Sequence, residues 1–346
     1  MTTLKIHILY KFVEGPWGGG NQFLKALRDY FRKAGVYSEG LEGADVILFN
    51  SHHGLEEAFR IKKKYPSKIL IHRLDGPIFY GRGKDKIIDE IIFQFNNLFA
   101  DGTIFQSNWS REKNYEMGMR KSPYETVIIN APDPTIFNSE GKKPFDERKI
   151  RLIAVSWSPN IRKGFDLYKL LDEHLDFNKF EMTFVGNSPI NFKNVKWIKP
   201  VPTKELAKIL KEHDIYITAS RYEACPNTLI EALHCGLPAV SRNMGVESES
   251  LTKAVELFED ESDVIQAINK VAKNYNQFQD RINLPTFEVV GQRYYEFAQS
   301  IYEDYLDGKY HPKQANLLSI VKFENIRIKI LKREVLNKLS GLGLKR

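Results

Sequence analysis

Residues Asp214–Gly245 read DIYITASRYEACPNTLIEALHCGLPAVSRNMG, and this stretch decides the fold. It opens with a short β-rich run, Asp214–Ala219, which is followed by a polar turn. Apolar residues at helical spacing after Asn227 predict a helix, and we expect the Asn227 side chain to cap it. The helix should end at Gly236–Pro238, because Gly favours helix C-termini and Pro cannot continue a helix. A second strand begins at Ala239, so the stretch is a strand, loop, helix, strand unit.

Two glutamates lie eight positions apart in this unit, Glu223 in the predicted loop and Glu231 in the predicted helix. In open α/β sheets, the loops at the carboxyl ends of the strands line the ligand crevice, and a helix N-terminus there offers N–H groups to an anion. Two carboxylates beside such a site are suited to accept hydrogen bonds from hydroxyl groups. The residues therefore indicate a ligand with a sugar and a ribose. The alternative is that both acids are solvated positions on an ordinary unit.

The stretch resembles the family 4 retaining GT-B glycosyltransferases, which are group 1 glycosyl transferases. The resemblance rests on the Glu-x7-Glu spacing of Glu223 and Glu231, together with the Gly-Leu-Pro turn and the strand that follow. It implies an α/β fold of two Rossmann-like, doubly wound parallel-sheet domains that face a central cleft. It also implies that Glu223 holds donor-sugar hydroxyls and Glu231 the ribose hydroxyls. The implied donor-binding residues of the stretch are Glu223, Ala224, Cys225, Pro226, Asn227, Thr228 and Glu231.

A triple-glycine turn, Gly18, Gly19 and Gly20, separates the first predicted strand from a predicted helix at Asn21–Lys33. Glycines let a ligand approach the backbone closely, although a tight turn alone would also use them. The resemblance implies that this turn faces the donor phosphates and the acceptor.

His72 ends an apolar run of strand length, Lys68–His72. Because the carboxyl ends of buried parallel strands border the crevice, we expect this imidazole to lie there. The resemblance implies a histidine near the donor sugar. A histidine satisfied inside a loop is the alternative.

The loop Ser156–Gly164 ends in Arg162 and Lys163. By resemblance, Lys163 clamps the donor diphosphate. The family usually places an Arg at the start of this loop, where this chain has Trp157, so Arg162 is the candidate for the second positive charge. The predicted catalytic residues are Lys163, Glu223 and His72.

The predicted organisation has four parts. Residues 1–145 form an N-terminal Rossmann-like domain on the acceptor side, and residues 146–286 form a second one on the donor side. Residues 287–308 form a helix that crosses back to the first domain. Residues 309–346 form a basic amphipathic tail.

The positive charge of the chain belongs to this tail. The net charge is +7, but residues 309–346 contain ten Lys or Arg and two Glu, which leaves residues 1–308 at −1. Within Gln314–Leu339, six apolar residues share one helical face, with Lys residues beside it. A second apolar stripe, Phe323, Ile326 and Ile330, lies opposite. The face predicts contact with an anionic membrane surface, packing on the body of the protein, or self-association. No nucleic-acid motif accompanies the charge, so we predict no nucleic-acid partner. The first stripe consists of Leu317, Val321, Ile328, Leu331, Val335 and Leu339.

The chain has 346 residues, 42% of them hydrophobic, and no run of eighteen apolar residues. The N-terminus lacks the features of a signal peptide, which predicts a cytoplasmic protein, peripheral on the inner face of the plasma membrane if the tail binds lipid. The two cysteines, Cys225 and Cys235, have no zinc-site spacing, and we predict no metal site.

The resemblance implies a metal-independent, hexosyltransferase-like enzyme. It would move a sugar with retention from a UDP- or GDP-linked donor, its substrate, to a hydroxyl, without a cofactor. The acceptor would be a glycan or lipid-linked molecule in bacterial-type surface polysaccharide or lipid-linked glycan assembly. The alternatives are a GT-B nucleotide-sugar epimerase and a non-catalytic GT-B-like binding or scaffold subunit.

Overall fold

The computed structural model describes residues 3–14, 19–83, 86–244 and 253–343. Within these residues the strands form two parallel sheets, one of five strands and one of six. Gly18, one of the predicted donor-binding glycines, lies outside the described residues.

The first sheet has the strand order β1-β2-β3-β4-β5. Its strands are nearly continuous apolar runs, because helices cover both faces of a parallel sheet. The pairing of Ile71 with Gly102 sets the register of β3 against β4. The strands are β1 (Ile6–Leu9), β2 (Val46–Asn50), β3 (Ile69–Leu74), β4 (Gly102–Phe105) and β5 (Tyr124–Val127).

The second sheet has the order β11-β10-β9-β6-β7-β8. The chain leaves β6 towards one edge of the sheet and returns through β9 on the other side, so the β6–β9 pair is the topological switch point. Ligands of open α/β sheets bind beyond the carboxyl ends of the strands at such a point. The strands are β6 (Ile150–Ser156), β7 (Phe180–Gly186), β8 (Lys196–Ile198), β9 (Ile215–Thr218), β10 (Ala239–Arg242) and β11 (Val255–Phe258).

Helices connect the strands and cover the sheets, and a short 3-10 turn spans Ile161–Lys163. The helices along the first sheet are α1 (Gly19–Lys33), α2 (Leu55–Lys64), α3 (Ile78–Arg82), α4 (Lys86–Phe99) and α5 (Asn108–Glu116). Those along the second are α6 (Phe165–His174), α7 (Thr203–Lys211), α8 (Asn227–His234), α9 (Val264–Lys273) and α10 (Tyr275–Gln279). The last two are α11 (Phe287–Leu306) and α12 (Leu317–Gly343).

Helix α11 returns to the first sheet. Its Val290, Tyr294 and Ile301 are buried in the same apolar cluster as Leu24 and Leu27 of α1. The other face of this sheet is covered by α2 and α4, against which Phe323 of α12 packs. The second sheet has its own two apolar clusters. Among the described residues no helix is long and apolar enough to cross a membrane.

The focal stretch folds as expected in outline. The predicted strand is β9, the predicted helix is α8, and Gly236 follows its end with a φ of 82°, a left-handed conformation that glycine adopts without strain. The predicted boundaries of the four parts stay predictions.

Candidate functional site

Two loops at the switch point bring Lys163 beside Glu223. The loop after β6 ends in the 3-10 turn that carries Lys163, and Gly164 follows with a φ of 81°. A Cβ atom on Gly164 would lie 2.2 Å from the carbonyl oxygen of Ala219, so only glycine lets this turn pack against the end of β9. The backbone N–H of Arg221 also donates to the carbonyl of Arg162, which ties the two loops together.

The ammonium group of Lys163 forms an ion pair with the Glu223 carboxylate. The two side chains remain 30% and 22% exposed, so a ligand can reach both. They line a cavity of about 170 Å³ together with Asp75, Trp109 and Tyr222. Lys163 and Glu223 are therefore close together. Asp75 and Trp109, which belong to the part of the chain that forms the first sheet (the first unit), line the opposite wall; the second unit is the part that forms the second sheet.

Helix α8 begins at Asn227, but the expected cap is wrong. Pro226 occupies the N-cap position, and no side chain caps the helix. The Asn227 amide oxygen instead accepts a hydrogen bond of 2.8 Å from Asn130, beyond the end of β5. The contact with the first unit takes the side chain away from its own helix. The helix start still borders the cleft, since Asn227 and Thr228 line a cavity there, and N–H groups of a first helical turn point out of the helix end.

The other predicted residues of the focal stretch build the loop and the helix start. The Ala224 carbonyl accepts a 2.6 Å hydrogen bond from the Ser107 hydroxyl of the first unit. Cys225 is buried, and burial raises the pKa of its thiol to about 12. The Thr228 hydroxyl accepts a 2.7 Å hydrogen bond from Tyr216. These contacts fix the position of the loop.

Glu231 lines two cavities beside α8. Burial raises the pKa of its carboxyl to about 8. Among the described residues no side chain donates a hydrogen bond to this carboxyl. A carboxyl that borders a cavity and has no protein donor is available to hydroxyl groups of a ligand.

Gly19 forms part of the same site, from the side of the first unit. It is the first residue of α1 and lines both cavities with Glu231. A Cβ atom on Gly19 would lie 2.6 Å from Nδ2 of Asn227, whereas one on Gly20 would meet nothing within 4 Å. The glycine turn therefore matters at Gly19, where it lets α1 approach α8.

The prediction that His72 lies at the crevice is wrong. His72 is within β3, 0% exposed, and stacks on Phe49 with a ring-centroid distance of 4.2 Å. Its Nε2 lies 2.8 Å from the Ser51 carbonyl and its Nδ1 lies 3.2 Å from the amide nitrogen of Asn96. The Nε2–H tautomer satisfies both contacts, and burial lowers the pKa of the ring to about 3. His72 is a neutral core residue.

Asp75 is the polar group at the carboxyl end of β3 that sequence reasoning missed. Its side chain is 42% exposed and lines the cavity that holds Lys163 and Glu223. Gln106 donates to its carboxylate, and a guanidinium nitrogen of Arg73 lies 3.5 Å away. The signal was its place just after the strand and before Gly76, because turn residues at a strand end are the ones that reach the crevice.

Arg73 anchors this wall from inside. It is 0% exposed and donates to Tyr294 of α11 at 3.0 Å, to Asn130 at 2.9 Å, and to Asn50. With its oxygen held by Arg73, Asn130 presents its NH2 group to Asn227. A buried cation thus orients the amide that contacts the start of α8.

Arg162, the candidate for the second positive charge, lines the same cavity as Lys163 and Glu223. Arg162 donates to the Tyr80 carbonyl at 3.1 Å and its guanidinium lies 5.8 Å from the centre of the Tyr222 ring. It joins the two units at the edge of the cavity. Trp157 is 45% exposed and lines a cavity with Glu231. In the described residues no group of three or more His, Cys, Asp or Glu could hold a metal ion.

Residues 190–283, which include Glu223, Glu231 and α8, match the family model of glycosyl transferases group 1. The phosphatidylinositol N-acetylglucosaminyltransferase GPI3 subunit of Saccharomyces cerevisiae (strain YJM789) is 29% identical, in an alignment that covers 53% of this chain and 48% of that protein. The chain therefore spans about half the length of this curated relative.

Several solved structures share the fold. Sucrose-phosphate synthase from Thermosynechococcus elongatus has a TM-score of 0.69 at 13% identity, over 86% of this chain and 99% of its own. Anabaena HepE in complex with UDP-glucose has a TM-score of 0.61 at 14% identity, over 88% of this chain and 100% of its own. The predicted GT-B fold is confirmed, while family 4 membership stays a prediction. Residues 190–283 are therefore similar to the group 1 glycosyl transferases, and the two facing parallel sheets have the GT-B arrangement.

Proposed function

We propose that this protein is a retaining glycosyltransferase that moves a sugar from a nucleotide diphosphate donor to a hydroxyl group. The observation that carries the proposal is that Lys163 and Glu223 line a cavity formed partly by the loop before α8, while Glu231 of α8 lines two more cavities at the start of that helix. A nucleotide sugar contains a diphosphate, a sugar and a ribose. The site offers a cation and N–H groups for the diphosphate, one carboxyl for the sugar and another for the ribose.

The ion pair between Lys163 and Glu223 suggests how the donor enters. Without a ligand each group neutralises the other. Donor binding would bring the diphosphate to the ammonium group and sugar hydroxyls to the carboxylate, so each group would gain a new partner as the old contact loosens. Glu231 would accept hydrogen bonds from the ribose, because its carboxyl borders the cavities and has no donor among the described side chains.

During transfer, the bond between the anomeric carbon and the diphosphate oxygen breaks and the acceptor oxygen bonds to that carbon. Negative charge develops on the leaving oxygen, where Lys163 and the first-turn N–H groups of α8 would stabilise it. The departing phosphate would take the acceptor's proton on the same face of the sugar, which gives retention. We assign Asp75 to the facing wall, where it would accept a hydrogen bond from a hydroxyl of the sugar or the acceptor.

We also propose that the reaction needs neither a metal ion nor a cofactor, since Lys163 and the helix N–H groups supply positive charge at the diphosphate. The proposed acceptor is a glycan or a lipid-linked molecule. UDP-linked sugars are the first donors to test, because the HepE structure contains UDP-glucose and the yeast relative is named as an N-acetylglucosaminyltransferase.

Calorimetry with UDP and GDP, on the wild type and on Lys163→Ala, tests donor binding. We expect one nucleotide to bind the wild type and to bind the variant more weakly. Lys169→Ala, which removes an exposed lysine of α6, is the matched control and should bind like the wild type. Donor turnover after EDTA treatment tests metal independence, and NMR of the product's anomeric carbon tests retention. Loss of turnover with EDTA, or an inverted anomer, would contradict the corresponding part.

The two alternatives make different predictions. An epimerase would form an epimerised nucleotide sugar without any acceptor, and a scaffold would bind neither nucleotide. The exposed Trp157 at the usual Arg position is the one departure that favours the scaffold. The family match over the segment with both glutamates favours the transferase over either alternative.

A further inference from the structure

Helix α12 is docked on the first unit by one of its faces. Phe323 is 2% exposed, and its ring packs 5.4 Å from that of Phe59 in α2 and 5.6 Å from that of Phe95 in α4. Arg327 forms an ion pair of 3.2 Å with Glu56 of α2. Phe323 and Arg327 therefore hold α12 against the first unit, whereas Leu317, Val321 and Ile328 of the first stripe are exposed.

The opposite face of α12 carries large apolar side chains in solvent. At about 100° per residue they share an arc of about 100° that points away from Phe323. Monomeric soluble proteins rarely expose contiguous apolar side chains of this size without a partner. The exposed fractions are 78% for Leu317, 63% for Leu318, 46% for Val321 and 47% for Ile328.

Three exposed lysines belong to the same surface. Lys322 and Lys329 border the apolar arc, and Lys332 lies within it by helical position. Between Leu317 and Lys332 the only acidic residue is Glu324, and Arg327 pairs with it at 3.0 Å. In the part of the chain that the structure describes, none of the three lysines is in an ion pair. The surface is therefore both apolar and positive.

We propose that this surface, defined by Leu317, Leu318, Val321, Ile328, Lys322, Lys329 and Lys332, binds an anionic lipid bilayer. The apolar side chains would enter the boundary between headgroups and acyl chains, and the lysines would meet lipid headgroups on flexible stems. A second copy fits the surface less well, because a two-fold contact would set lysines against lysines, and the one acidic residue between Leu317 and Lys332, Glu324, is already paired with Arg327. The docked helix would lie flat on the bilayer and hold the first unit, the acceptor side of the proposed function, against it.

Vesicle flotation of the full chain tests the proposal. The vesicles are phosphatidylcholine alone or phosphatidylcholine with about 30% phosphatidylserine, a content that gives an anionic surface. We expect binding to the anionic vesicles that weakens with salt and little binding to the neutral ones. Two variants should each lower the apparent affinity about tenfold or more. The first replaces two apolar side chains, Leu318→Glu with Val321→Glu. The second reverses three charges, Lys322→Glu with Lys329→Glu and Lys332→Glu.

Matched controls use exposed residues elsewhere. Leu306→Glu replaces a leucine of α11 that is 62% exposed, and Lys33→Glu with Lys169→Glu and Lys273→Glu reverses three exposed lysines. Both should bind like the wild type. Light scattering without lipid tests the other occupant, a second copy of the chain. If the wild type is a dimer and the double variant Leu318→Glu with Val321→Glu is a monomer, the surface is a dimer interface and not a lipid-binding surface. Failure of the wild type to float with anionic vesicles, or equal loss in the controls, would also overturn the proposal. Vesicle binding needs no donor, so its failure would leave the proposed function standing.

Discussion

The carboxyl ends of the two sheets meet at one cleft but hold their polar groups differently. On the first sheet, Arg73 and His72 are 0% exposed and hydrogen-bonded within the protein. On the second, Lys163 and Glu223 keep part of their surface in solvent and pair with each other. The first sheet provides a fixed wall, and the second provides groups whose partners a ligand can replace. Substitutions on the two sides should therefore fail in different ways.

The largest expected effect is the loss of turnover in Lys163→Ala. Removing the cation leaves the leaving diphosphate without its main side-chain charge, which should lower kcat by about 10²- to 10³-fold. The free energy of unfolding should change little, because the ion pair is partly exposed. Steady-state turnover of the preferred donor and urea unfolding measure the two quantities. A variant that unfolds more easily but turns over normally would reverse the roles we give to the two sheets.

Arg73→Met should fail in the opposite way. The variant keeps much of the volume but removes the donor shared by Asn50, Asn130 and Tyr294, all of which stay buried. We expect the free energy of unfolding to fall by about 3 kcal/mol, the cost of leaving such groups without partners. Arg148→Met, at a side chain that is 86% exposed, is the control and should change it by less than about 0.5 kcal/mol. Equal stability of the two variants would show that the network does not support the wall.

This contrast explains which parts the sequence could predict. The fold and the second-sheet groups follow from local signals: a strand, a turn, two carboxyls at fixed spacing, a helix and a stop lie within Asp214–Gly245. Lys163 likewise sits in a turn whose neighbour Gly164 marks a close approach. Short-range patterns suffice where the groups of a site lie on consecutive elements.

The first-sheet wall depends on contacts between distant residues. Arg73 meets Tyr294, which is 221 positions away, and Asn130 meets Asn227, which is 97 positions away. No local pattern shows whether His72 or Asp75 faces the cleft, because each side chain lies near the end of the same strand. The cap predicted for Asn227 failed for the same reason, since the amide has a partner in the other unit. Tertiary contacts decided these cases.

Gly19→Ala tests the approach of the two units, with Gly20→Ala as its control. A methyl group at residue 19 would lie 2.8 Å from Cβ of Asn227, while one at residue 20 meets nothing within 4 Å. Both changes replace glycine near the start of α1, so helix propensity alone would act on both in the same direction. We expect nucleotide affinity to fall about tenfold in Gly19→Ala alone, because even a small separation disturbs Asn227 at the start of α8. Calorimetry with the preferred nucleotide measures this affinity. Similar affinities in Gly19→Ala and Gly20→Ala would contradict the close approach of Gly19 to Asn227.

The pH dependence of stability should also differ between the two sheets, with opposite signs. The pKa of Glu231 rises from 4.5 to about 8 on folding, so the folded state binds the extra proton between these values. The free energy of unfolding should therefore fall as pH rises through this window, by at most about 1.4 kcal/mol per pH unit. The pKa of His72 falls from 6.5 to about 3, so its contribution is lost as pH falls below 6.5.

Urea unfolding across both windows, for the wild type, Glu231→Gln and His72→Gln, separates the two contributions. Because glutamine does not titrate, the difference between the wild type and Glu231→Gln should shift in favour of the variant from pH 4.5 to about 8. The difference between the wild type and His72→Gln should instead shift in favour of the variant as the solution becomes acidic. Each comparison cancels the titration of all other groups. If the free energy of unfolding of the wild type and of Glu231→Gln changed with pH in parallel, the Glu231 carboxyl would already be ionised and solvated by water without a ligand. The hydroxyl groups of a donor would then have to displace that water.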